Sequence, residues 1–569
     1  MLFKKLLLIL TCTCVTLGWS ATPSQLEEID SVITEALATF EVPGAAVALV
    51  EDGKVVMMKG YGLRDQKNNL PVTENTLFPI GSCTKAFTAL LIGKLVDEGK
   101  LDWDDPIIQH IPEFRLKDPH ATHKVTIRDA LAHRSGLPRH DMVWYNSSAS
   151  RHELMERLAH LELTAEPHEK FQYNNLMYAT LGILLERVTG KTWETLVQEE
   201  IFTPLGMTNS QTDHAETQDF SLPYARENEE VKEIPFRGIA NVGPAGSIES
   251  SVSDMARWIE YQLNLPTSLR EMHTLQIGFP LYPTDNIHGF GYGLGWFVGS
   301  YHGNYWVEHG GGIDGFCSLV SLLPEKKTGL VLLTNNTPNG YHFNDSVRRT
   351  VQDILLDAER KDWVTTTHEA INKHMDEKPE AAIEVTALHT HDQYVGSYEH
   401  PGYGTVVIKE QNGILLLTFN EMSTKLKPKK GDLFVAGEKG DPIFQGCPFT
   451  YAFLPNAEGE IESLSVPFDL TTEPIVFKKV AEGFSKQDLL RFAGKYRGGD
   501  FEVAVKLRGS ELTLVIPNQP VYTLVPEQGD KFSIKGLNAF YVAFGEKEGE
   551  AGLTLVQPNG DFFLSIVAE

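Results

Sequence analysis

The texture of the chain changes near residue 390, and that change limits the folds open to it more than any single motif does. Up to that point several stretches place apolar residues at helical spacing. Beyond it, short runs alternate apolar and polar residues between Gly and Pro turns, and helical periodicity is scarce. Tyr394-Val395-Gly396-Ser397-Tyr398 returns 98 residues later as Phe492-Ala493-Gly494-Lys495-Tyr496, each copy opening a β-rich segment of domain size. Residues 391–482 and 483–569 therefore read as two related small β-barrels, and the charged stretch 362–390 as the linker before them. A length of 569 residues fits three domains better than one.

Residues 21–361 read as a layered α/β domain with an antiparallel sheet. Leu26, Ile29, Ile33, Leu37 and Phe40 form the apolar stripe of an opening helix. Ala45 to Val50 and Lys54 to Met58 flank Asp52-Gly53, a tight hairpin signal. Gly291–Phe297, Asn304–Glu308, Phe316–Leu323 and Gly329–Thr334 are expected as further strands, and Asp345–Arg360 as a closing helix.

The first twenty residues carry Lys4 and Lys5, an apolar run from Leu6 to Leu17, and the small residues Gly18 and Ser20. This is the pattern of a cleaved secretory signal, and the run is too short to anchor in a bilayer, so a periplasmic or secreted protein is expected. Losing Lys4 and Lys5 takes the formal net charge of -26 to -28, a surface that repels nucleic acid and anionic headgroups. Only Cys83, Cys317 and Cys447 remain, too sparse and odd a set for a disulfide framework; a Cys83–Cys317 bridge stays open.

Chemistry concentrates in Phe78–Lys100. Ser82 is the one serine with a lysine three residues on, Lys85, at the start of an apolar helical run. Side chains three apart share a helix face, so the amine reaches the hydroxyl and, if partly desolvated, can take its proton. Downstream stand Tyr173-x-Asn175, the only Tyr-x-Asn in the chain, and His309-x-Gly311 within Glu308-His309-Gly310-Gly311-Gly312. A phenol can serve as acid or base near cations, and glycines at 311 and 312 let backbone approach a substrate, with the Gly312 and Ser82 N–H groups forming an oxyanion hole. Each signal alone has a bland structural reading; their joint order is specific.

With these motifs, and with LAHRSGLPRHD (131–141), IFTPLGMTNS (201–210), PAGSIESSVSDMARW (244–258), YGLGWFV (292–298) and HGGGIDGF (309–316), residues 25–360 resemble the serine β-lactamase and penicillin-binding protein superfamily. The resemblance is to its class C-like esterase, DD-peptidase and D-aminopeptidase branch, and the two β-domains extend it to D-aminopeptidase-like proteins. It implies Ser82 as nucleophile, Lys85 as its proton partner, Tyr173 as general base and then acid, Asn175 as a substrate-amide contact, and Gly311 and Gly312 as substrate-binding backbone. His309 stands where the Lys-Thr-Gly form has lysine, so a fixed cation for a substrate carboxylate is missing.

No metal or organic cofactor is expected. The substrate expected is a small molecule or short peptide, D-amino acid or cell-wall derived compounds included. Other readings are a class C-like β-lactamase and a non-catalytic binding protein that retains the fold. An α/β-hydrolase lacks its Gly-x-Ser-x-Gly elbow here, and the metal hint at His389-Thr390-His391-Asp392 has no companion motif. A barrel loop over the cleft would restrict substrates to those with a free amine. Oligomeric state is not legible.

Overall fold

The computed structural model describes residues 21–567 apart from 216–218, 228–229, 279–285, 376–386, 437–448, 458, 481–485, 500, 510, 518, 527–529, 536, 538–539, 548 and 559. The signal-peptide reading and Cys447 fall outside the described residues. At the centre of the first domain lies the strand Gly44–Glu51, buried at every position. Its side chains alternate between two cores, as strand geometry requires. Ala45, Val47 and Leu49 pack with Ile29, Val347 and Ile354 of the helices Pro23–Thr39 and Asn339–Leu355. Ala46, Ala48 and Val50 face the opposite layer, built on the helices Lys85–Asp97, Asn175–Thr189 and Val252–Leu263.

The sheet is antiparallel throughout, in the order Leu70–Pro71, Lys54–Asp65, Gly44–Glu51, Thr328–Thr334, Phe316–Leu323, Asn304–Ile313, Phe297–Tyr301, Ile287–Tyr292, Ile277–Gly278. The early and late parts of this domain are thereby paired directly, with Ala45 opposite Thr334 and Glu51 opposite Thr328. In the helical layer the Phe87 ring stacks on Trp258 at 3.7 Å, tying the helix that follows Ser82 to the helix Val252–Leu263.

Two expectations need correction. Gly291–Phe297 is not one strand but the reversal between Ile287–Tyr292 and Phe297–Tyr301. Gly295 takes a φ of +83°, which glycine adopts without cost, and the turn buries Leu294 and Trp296. The stretch 362–390 begins as a helix, Trp363–Met375, whose Val364 is buried against the first domain and whose Trp363 indole donates to Asp353 at 2.7 Å. An amphipathic face here outweighs the charge that marks the segment as linker.

Residues 396–479 and 494–566 each form a closed barrel of eight sequentially neighbouring strands. The hydrophobic core of the first barrel, including Tyr398, Phe453 and Phe477, is continuous with that of the α/β domain, whereas the second keeps a core of its own around Tyr496, Leu514 and Phe532. Deleting 483–569 should thus leave the melting temperature of the remainder unchanged. Deleting 391–569 should lower it by roughly 5 °C or more, read by scanning calorimetry.

Candidate active site

Ser82 sits in a tight 3-10 turn, Gly81–Thr84, that runs directly into the helix Lys85–Asp97. One turn therefore separates Ser82 from Lys85. The Lys85 side chain is fully buried, with Nζ 3.1 Å from Ser82 Oγ, 2.7 Å from Asn175 Oδ1 and 2.8 Å from the Ala245 carbonyl. Burial depresses its pKa well below that of an ordinary lysine, and the Arg139 guanidinium adds to the effect. The Asn175 and Ala245 oxygens can only accept, so a neutral amine gives its two hydrogens to them and turns its lone pair to the Ser82 hydroxyl.

The Tyr-Asn-Asn run is delivered by a helix cap. Asn174 caps Asn175–Thr189, accepting from Met177 N–H at 2.8 Å, while its own amide donates to the Pro138 carbonyl at 2.5 Å. Asn174 thus ties the helix start to the 138–139 backbone. Tyr173, one residue earlier, lies with its ring 4.7 Å from Lys85 Nζ and 4.8 Å from the Arg139 guanidinium, and its hydroxyl is near Ser82. Burial pushes its phenol above the ordinary value, against the pull of Ser82 and Arg139. The resting group is a phenol, not the phenolate that a general-base role for Tyr173 needs.

Gly311 and Gly312 lie where Asn304–Ile313 passes the Ser82 turn. A Cβ on Gly311 would overlap the Ile80 carbonyl, and one on Gly312 the Tyr341 hydroxyl. A Cβ on Gly81 would sit 2.6 Å from the Gly312 nitrogen, so the Gly312 amide is next to the Gly81–Ser82 peptide, as an oxyanion hole requires.

His309 is placed behind the site rather than in the cleft. It is buried, with Nδ1 donating to the Gly310 carbonyl at 2.6 Å and Nε2 accepting from Tyr292 OH at 2.8 Å. Its ring is 6.3 Å from that of Tyr173, and burial with the nearby Lys85 drops its pKa to about 3. It is a neutral support.

Several contributors escaped the sequence reading. Asp141 accepts from Asn175 Nδ2 at 2.9 Å, from the Trp144 indole at 2.7 Å and from Arg139 at 2.7 Å, linking the cleft wall to Lys85. His133 packs its ring 4.2 Å from Tyr173 and accepts from the Asn174 N–H at 3.0 Å. Arg139 and Asp141 lie in the stretch 131–141 that carries the family resemblance, but nothing local in that stretch marks them as chemical. Together with Ser82, Tyr145, Asp314 and Tyr341 they line a cleft of about 340 Å3.

The first barrel shapes this cleft without lining it, among the described residues. Asn420, at the tip of a barrel hairpin, donates to the Met142 and Tyr145 carbonyls at 2.9 and 3.0 Å and accepts from Asn146 at 2.6 Å. Asp469 takes the His140 N–H at 2.9 Å, and Tyr403 OH donates to His140 Nδ1 at 2.7 Å. Residues 140–146, which carry Asp141, Trp144 and Tyr145, are held from outside.

Cys83 and Cys317 are both free and buried, which answers the question of a bridge between them. His389 is engaged by Asp432 at 2.8 Å and by the Gly459 carbonyl at 3.0 Å, and no group of three metal-capable side chains occurs among the described residues. No helix among them is long and apolar enough to cross a membrane.

A family model described as Beta-lactamase matches residues 29–353, and a Domain of unknown function (DUF3471) matches 382–479. The chain is 29% identical over 430 residues to Unguisins hydrolase ungD of Aspergillus violaceofuscus (strain CBS 115571), across 67% of this chain and 76% of that one. It is 30% identical over 323 residues to Protein flp of Staphylococcus aureus (strain NCTC 8325 / PS 47), across 54% of this chain and 63% of that protein. Its fold superimposes on the octameric penicillin-binding protein homologue from Pyrococcus abyssi with a TM-score of 0.53 at 23% identity, covering 87% of this chain and 99% of that one. This last likeness is one of fold.

Two outcomes follow from the geometry. Asn420→Ala removes two donors from the cleft wall and should raise KM for small esters about threefold to tenfold while kcat stays within about twofold. An unchanged KM would mean the wall stands without the barrel. His309 is neutral when folded and titrates near 6.5 when unfolded, so it lowers stability as pH falls from that value toward about 3. His309→Gln should therefore lose stability less steeply than the parent between pH 6 and pH 4, by about 1 kcal/mol per pH unit in denaturant titrations.

Proposed function

The chain belongs to the Beta-lactamase family, and on that footing we propose that it is an exported serine hydrolase acting through a Ser82 acyl-enzyme on small amides or esters. The observation that carries the proposal is the buried Lys85 amine 3.1 Å from Ser82 Oγ, with both of its other contacts to pure acceptors. As Ser82 attacks a carbonyl, its proton passes to Lys85. The Ser82 and Gly312 N–H groups receive the developing oxyanion. Tyr173, protonated at rest and near Ser82, supplies a proton to the departing amine or alcohol, and recovers one from the water that cleaves the acyl-enzyme. The base of the resting site is thus Lys85, and Tyr173 is the relay.

A peptidase or esterase of the penicillin-binding protein type is favoured over a β-lactamase, because buried His309 is neutral and the cleft's guanidinium, Arg139, is already paired with Asp141 at 2.7 Å. Asp141 and Asp314 on the cleft wall, with Arg139 between acid and phenol, suit a short peptide or amide carrying a free amine, the D-aminopeptidase-like choice. The signal-like residues 1–20 support a periplasmic or secreted location. A scaffold that only binds has no chemical need of Ser82, Lys85 and Tyr173 at these distances.

Incubation with a fluorophosphonate should give a one-to-one covalent adduct that peptide mass mapping places on Ser82 and that Ser82→Ala lacks. Tyr173→Phe should slow turnover of D-amino acid amides about 100-fold to 10,000-fold. Activity should fall on acidification as Lys85 protonates, at a pH below the range of an ordinary lysine. A folded protein that takes no label would sink the acyl-enzyme reading.

A further inference from the structure

The two barrels repeat one fold but differ at one mouth. In the first barrel that mouth is plugged by His400, Tyr403, Phe419, Phe468 and Phe477. Their rings lie close together, Phe419 to Phe468 at 4.6 Å, Tyr403 to Phe468 at 5.8 Å and His400 to Phe477 at 5.7 Å. The plug is also the docking face, since Tyr403 reaches His140 of the α/β domain.

Register fixes the corresponding positions in the second barrel. Tyr398 pairs with Lys479, and its repeat partner Tyr496 pairs with Ile566. Two residues inward from these, His400 becomes Gly498 and Phe477 becomes Leu564. On the third strand, where Leu415 and Leu417 match Leu512 and Leu514, Phe419 becomes Ile516. Each of these three rings is replaced by something smaller, and a cavity of about 810 Å3 opens at this mouth.

Its walls are apolar at Ile516, Ile534, Phe540, Leu555 and Leu564, while Gln519, Tyr522, Gln557 and the charged Lys547 and Asp561 supply polar groups. Phe501 and Phe562 at the edge are 42% and 52% exposed, large apolar side chains with nothing over them among the described residues. Closed eight-stranded barrels are wide enough to hold one small ligand when side chains do not fill them, and this volume lies in the range of small-molecule pockets. We propose that the open mouth of the second barrel is a binding site for a largely apolar small molecule, an acyl chain or aromatic ring system whose polar end meets Lys547, Gln557 and Asp561. It is separate from the Ser82 cleft, and independent of the hydrolase reading.

The test is titration of the full-length protein with N-phenyl-1-naphthylamine, a neutral apolar fluorophore. One saturable site per chain is expected, unaffected by prior fluorophosphonate treatment. Ile516→Phe with Leu564→Phe, which restores two of the first barrel's rings, should weaken binding about tenfold or more, with hydrolysis of a small ester unchanged. Phe562→Glu, at an exposed position that folding tolerates, should do the same by placing a charge at the rim. Absence of saturable binding, equal binding by these variants, or loss of binding after fluorophosphonate treatment overturns the proposal. So does a dimer in sedimentation velocity that both variants dissolve, which would make the mouth a self-association surface.

Discussion

The arrangement of the α/β domain depends on keeping one amine dry. Lys85 has no exposed surface, and a charged ammonium there would carry a large desolvation cost. The surroundings answer with two acceptors, Asn175 Oδ1 and the Ala245 carbonyl, and with the rings of Tyr173 and Tyr178 at 4.7 and 5.3 Å. They come from two distant parts of the chain, residues 173–178 and Ala245. The Ala245 carbonyl belongs to a one-turn helix, Gly243–Gly246, and Asn175 to a capped helix start, so the depressed pKa of Lys85 is a property of the assembled fold.

From that amine a polar chain runs outward through Asn175 to Asp141 and Arg139. There it meets the segment 140–146 that the first barrel grips through Asn420, Asp469 and Tyr403. The barrel is in that sense part of the catalytic domain, and the continuous hydrophobic core says the same. Among the described residues the second barrel shares neither core nor clamp. Free of the docking duty that fills the first barrel's mouth with rings, its own mouth carries smaller side chains.

Much of this was legible in order along the chain. The helix Pro23–Thr39, the hairpin at Asp52-Gly53, the strands Phe316–Leu323 and Thr328–Thr334 and both barrels follow from local periodicity and turn chemistry, which act over a few residues. The reversal at Gly293–Trp296 was not, because alternating Leu294 and Trp296 read as strand until Gly295 is seen at positive φ. Nor was the helix Trp363–Met375, whose charge masks a buried Val364. Ser82, Lys85, Tyr173, Asn175, Gly311 and Gly312 do converge in space. His309 stands behind Tyr173 because its neighbours Tyr292 and Phe297 close over it.

The sequence by itself determined which groups are present and in what order: a serine with a lysine one turn on, a tyrosine at a helix start, a glycine run in a strand, and a repeated barrel. Those are short-range facts, written in spacing and residue type. Protonation states, the pairing of Arg139 with Asp141, the retreat of His309 from the cleft and the contrast between a plugged and an open barrel were decided only by tertiary structure. Burial and long-range contact set them, and a residue's solvent exposure depends on elements hundreds of positions away, as Lys85 and Ala245 show.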